Sequence, residues 1–124
     1  MKREFPKRVK SALRQLAATA HERELKVLLK DLGDAFSDWH SGAISSLALA
    51  DKIDRFAFGQ AKRRLRERYE TASIVHTNVA QALVRGILKE SEVPSDVLEA
   101  LEKPIEFFRQ GIADGTISFD EEEE

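Results

Sequence analysis

Residues 7–32 contain neither glycine nor proline, and their apolar positions recur every three or four residues. Such a stretch offers no stop signal to a helix and no alternation to a strand. Pro6 suits the opening of a helix, where its missing N–H would lack a partner anyway. Val9, Leu13, Leu16, Ala17 and Ala20 form one stripe, and Leu25, Leu28, Leu29, Leu32, Phe36 and Trp39 continue it with a slightly shifted phase. The spacing predicts one helix from about Pro6 to about Ser41, the alternative being two helices joined near Thr19–His21. Gly33 is tolerated inside such a helix at ~1 kcal/mol relative to alanine. Trp39, in phase with the stripe, is expected to anchor the core.

Ser41-Gly42 reads as a helix stop, with Gly42 left-handed and Ile44 folding back, and Ser45 or Ser46 as the next cap. Leu47, Ala50, Ile53, Phe56, Ala57, Ala61, Leu65 and Tyr69 predict a second helix, with Gly59 as its weak point. Thr71, Ser73, Thr77 and Asn78 favour a turn and a cap. A shorter amphipathic helix follows through Val79, Ala80, Leu83, Val84, Ile87 and Leu88, then a loop around Pro94. Val97, Leu98, Leu101, Ile105, Phe108 and Ile112 mark a last helical stripe, kinked or restarted at Pro104. Gly42-Ala43-Ile44-Ser45 and Gly115-Thr116-Ile117-Ser118 share one pattern, read as the same stop used twice rather than as a repeat. The expectation is an all-α, single-domain bundle of four to five helices over residues 1–119. The acidic run 120–124 is expected to be a disordered tail.

Hydrophobic residues make up 42% of the 124, enough for one real core. Cysteine is absent, which removes disulfides, thiolate zinc sites and cysteine nucleophiles together. No apolar run approaches the ~20 residues needed to cross a bilayer, and the first residues are charged without an apolar segment, so a cytoplasmic protein is expected. The net charge of −2 hides a polarity. Residues 1–70 hold 16 basic against 10 acidic side chains, and residues 71–124 hold 4 against 12. Such a molecule attracts anionic partners with one end and cationic partners, or a second copy of itself, with the other.

Two basic groups are candidate contact sites. Lys62, Arg63, Arg64, Arg66 and Arg68 crowd one predicted helix, where unpaired like charges repel and call for a nearby anion. Phosphates, an acidic partner or the chain's own carboxylates would serve, and phosphate binding would be salt-sensitive. Arg3, Lys7, Lys10 and Arg14 share one face of the first helix. If the two patches lay on one side, the case for nucleic acid would strengthen. Phe107 and Phe108 are helix neighbours pointing about 100° apart, so at least one is expected at the surface. Phe107, with Ile112 or Phe119, is the candidate apolar contact.

Enzyme signatures are sparse. His21, His40 and His76 occur in no zinc-protease or di-iron spacing, and His40 is better explained as a cation at a helix C-terminus. There is no glycine-rich phosphate loop and no serine elbow, so no cofactor and no metal are expected. Arg14 and His21 are separated by six residues, a spacing that resembles the Arg-x4–6-His motif of HEPN ribonucleases. The likeness covers two residues, and Gln15 stands where that family usually has Asn, Asp or His. It implies Arg14 stabilising an RNA phosphate and His21 moving a proton.

The function expected first is a non-enzymatic protein-interaction or regulatory module, like many small bacterial adaptors, antitoxins and accessory subunits. Its partner would be another protein or a second copy. The alternatives are a nucleic-acid binder using residues 62–68 and a HEPN-like ribonuclease.

Overall fold

The computed structural model describes residues 5–71 and 74–119. Arg3 and the acidic run 120–124 lie outside the described residues. Six α-helical segments form, with no strand among the described residues: α1 (Lys7–His40), α2 (Ser46–Phe58), α3 (Gln60–Glu70), α4 (Val75–Val84), α5 (Ser95–Ala100) and α6 (Glu102–Ala113). No described helix is long and apolar enough to cross a membrane.

The expected long helix is unbroken from Lys7 to His40. It ends where Gly42, at φ 84°, adopts a backbone that other L-residues avoid, and Ala43 N donates to Asp38 O at 2.8 Å. The same closure ends α6, where Thr116 N reaches Gly111 O at 2.9 Å. It also ends α4, where Ile87 N reaches Ala82 O at 2.9 Å. This third stop corrects the fourth helix, which closes at Val84 rather than continuing through Leu88. Ser45 is the cap of α2, its Oγ accepting from Ala48 N at 3.0 Å.

The single second helix expected through Tyr69 is two, broken at Gly59. There the extended backbone would bring a Cβ to 2.3 Å from Arg55 O, so only glycine fits the break without a shift. Leu101 separates α5 from α6, and Pro104 falls in the first turn of α6, where its missing N–H costs little.

One core holds the molecule together. Val9, Leu13, Ala17 and Ala20 of α1 meet α3 through Leu65 and Tyr69, α4 through Val79, and α5–α6 through Val97 and Leu101. Leu13 and Leu101 are fully buried, each stabilising by about 2–3 kcal/mol. α2 and α3 run back along α1, from Trp39 beside Ser46 to Tyr69 beside His21. Ala35 and Leu49 are buried where α2 meets α1, yet lie outside the main cluster.

Candidate interaction surface

The site is built by what α1 does after residue 24. Up to that point its apolar stripe faces α4 and the last helices. Glu24 continues the core spacing of Leu13, Ala17 and Ala20, so a carboxylate is carried inward. Arg85 of α4 grips it with two bonds of 2.9 Å, and Arg68 of α3 adds one of 3.3 Å. The Tyr69 hydroxyl also donates to it, while Gln81 Nε2 donates to the Tyr69 oxygen at 3.0 Å. Burial alone would raise the Glu24 carboxyl, but the bonds from Arg85 and Tyr69 and the two guanidinium charges hold it below its ordinary value. Burial, together with the bond to Glu24, pushes the Tyr69 hydroxyl up. These groups satisfy one another and clamp α1, α3 and α4 at one level.

Beside the clamp, Arg23 donates to Ile87 O at 2.9 Å and to both carboxylate oxygens of Glu92. The Arg23 bond, helped by Lys89 N, lowers Glu92 to about 2. Past this level α4 has ended, and α1 continues with only α2 and the start of α3 for company. An open cleft of about 380 Å³ lies there, floored by Val27, Leu28, Ala61, Leu65 and Ile87.

The consequence is an apolar hairpin surface. Of the ten large apolar side chains exposed among the described residues, seven belong to residues 27–58: Val27, Leu29, Phe36, Trp39, Leu47, Ile53 and Phe58. Phe58 is 82% exposed and Leu47 73%. Trp39 corrects the sequence reading. It is not a core anchor but a surface residue at the hairpin turn, its Nε1 donating to Ser46 Oγ at 3.0 Å. The sequence carried a signal for this surface: Leu28 and Leu29, like Ala35 and Phe36, are adjacent pairs, and one helix cannot turn both members onto one neighbour.

The basic cluster of α3 is divided. Arg68 turns inward to Glu24, and Lys62 lies over the Phe56 ring at 5.4 Å. Arg64 is half-buried, while Arg63 and Arg66 are exposed, each four residues before a glutamate, Glu67 and Glu70. On α1, Lys7 and Arg14 are exposed and Lys10 is half-buried. This group lies beyond the end of α3, where Glu70 approaches His21 Nδ1 at 3.9 Å, so a carboxylate stands between the two patches.

Arg14 and His21 share a helix face two turns apart, about 10 Å along the axis. The His21 ring stacks on Tyr69 with centroids 5.7 Å apart. Phe107 is 64% exposed while Phe108 is buried, and Phe107 edges a shallow groove of about 610 Å³ with Gly111 and Ile117. Among the described residues no three His, Asp or Glu side chains converge to hold a metal ion. No protein-family model, curated protein or solved structure matches the chain.

Proposed function

We propose that this chain is a non-enzymatic protein-interaction module that docks through the outer face of the α1–α2 hairpin. One observation carries the reading: seven of the ten exposed large apolar side chains sit on this hairpin. Exposed apolar side chains concentrated on one hairpin are costly on a monomer and are what a docking surface uses. The clamp around Glu24 supports the same reading, because it fixes the angle at which the hairpin leaves the core. The role proposed for it is that of an adaptor or regulatory protein of the cytoplasm. Arg63 and Arg66, beside Glu67 and Glu70, offer nucleic acid a weaker claim.

The test is a photo-crosslinking amino acid placed at Phe36 in the protein's own cells, with Arg14 and Phe107 as comparison positions. Adducts concentrated at position 36 are the expected result. A position 36 that yields none, while the protein is folded and abundant, would overturn the proposal.

A further inference from the structure

The seam that α1 turns towards α4 does not stop where α4 stops. Val9, Leu13, Ala17, Ala20 and Glu24 follow one another along it at steps of four, four, three and four, and the four apolar ones are buried. α4 runs beside them in the same direction as α1. It starts at His76, whose ring lies 5.4 Å from that of Phe5, and ends with Arg85 on Glu24. At about 100° per residue the seam continues through Val27, Asp31, Asp34 and Asp38, at steps of three, four, three and four. Val27 is 59% exposed, and all three aspartates are exposed. Leu29 and Phe36 point nearly the opposite way. One line of the helix thus changes from apolar and covered to acidic and open, and the change falls at Glu24.

We propose that this open stretch seats a helix from a partner protein, which puts an apolar side chain into the cleft beside Val27 and a row of lysines or arginines against Asp31, Asp34 and Asp38. It is a second surface, apart from the face that carries Leu29 and Phe36, and goes beyond the docking proposed for that face.

Shape and charge both specify the occupant. The cleft of about 380 Å³ is floored by Val27, Leu28, Ala61, Leu65 and Ile87, an apolar recess at the point where α4 gives out. What fills it must be apolar, because a polar group there would lose its hydration without a partner. From Val27 to Asp38 the seam runs about 16 Å, or three helical turns, along the line that α4 covers lower down. The chain itself shows how an acid in this seam is met: Glu24 draws Arg85 and Arg68 from the two neighbouring helices. Asp31, Asp34 and Asp38 sit three and four residues apart, so their charges repel along one face. Lys30 flanks them, but no salt bridge among the described residues holds any of the three. A basic helix would relieve that repulsion, and an acidic one would add to it. Arg23 and Arg68, the cations at the closed end of the cleft, are engaged with Glu92 and Glu24 and oppose a cationic partner little.

The experiment is fluorescence anisotropy on the full chain across a salt series. Its probe is a labelled amphipathic Leu/Lys peptide of about three helical turns, with a Leu/Glu peptide of the same pattern as control. The Leu/Lys peptide should bind, more weakly as salt rises, and the Leu/Glu peptide should not. Asp31→Asn/Asp34→Asn/Asp38→Asn should weaken binding by roughly tenfold or more and flatten its salt dependence. Val27→Asn should weaken it at every salt concentration, whereas Leu29→Gln/Phe36→Gln should leave it unchanged. Circular dichroism checks that each variant keeps its helicity. Binding that survives the aspartate substitutions, or that Leu29→Gln/Phe36→Gln abolishes, overturns the seam as the seat. Absence of binding even at low salt, or equal binding of the two peptides, overturns the cationic helix as occupant. Crosslinking from position 36 reads the other face, so either surface can fail without the other.

Discussion

The two halves of α1 share one backbone and differ in what surrounds them. In the first half the stripe Val9, Leu13, Ala17 and Ala20 is buried against the other helices; from Val27 to Trp39 only Ala35 is buried, and the other apolar side chains are half-covered or exposed. Amphipathic spacing is equally good in both halves, so the difference lies in the company each keeps. A helix gains most of its stability from packing rather than from propensity. The first half is therefore the rigid platform, and the second half, with α2, is the part whose stability a partner can raise.

The largest effect that would break this contrast comes from the platform. Leu101→Ala or Leu13→Ala should lower unfolding free energy by about 3–4 kcal/mol, whereas Leu29→Ala should cost under about 1 kcal/mol in the monomer. Urea titrations of the variants check this, and equal losses would show that the hairpin has a core of its own.

Next is the clamp at the junction. Glu24→Gln leaves Arg68 and Arg85 facing a neutral group and should cost about 3 kcal/mol. It should also change the acid limb of stability. A carboxyl held below its ordinary value in the fold stabilises above its unfolded pKa, and that stability is lost as pH falls through the folded value. Glu24 and Glu92, the latter at about 2, both act in this sense. The wild type should lose stability from about pH 5 towards pH 2, and Glu24→Gln should flatten part of that slope. Thermal melts across this range would read it.

Smaller effects separate the hairpin from the platform. Gly59→Ala must push the Arg55 carbonyl aside and should cost about 2 kcal/mol. Gly33→Ala has open space around it and should gain up to about 1 kcal/mol. Amide exchange should place that gain in residues 25–58 and leave α4 unchanged. A gain spread evenly over the molecule would mean the two regions open together.

Much of this was legible beforehand, for identifiable reasons. Helix identity is written in local spacing, so the unbroken α1, the stop at Gly42 and the cap at Ser45 could be read residue by residue. The stop at Gly86 was missed because Ile87 and Leu88 keep the helical spacing beyond it, although their side chains belong to a loop that crosses α1. Gly59 was legible as a weak point but not as a break, because the clash with Arg55 O exists only once the backbone is built. Phe107 was legible as exposed because two neighbouring rings cannot share one face. Trp39 was misplaced because periodicity shows that a residue is on an apolar stripe, not that another element covers it.

The sequence alone determined an all-α chain, its principal helix and its charge order, since each depends on contacts within a few turns. Tertiary structure decided which half of α1 is covered, where Arg68 and Lys62 spend their charge, and that Glu24 meets Arg85 sixty-one residues away. Those outcomes depend on where α4 ends relative to α1. That position follows from the summed packing of α4 against α1, α3 and α6, which no local pattern carries.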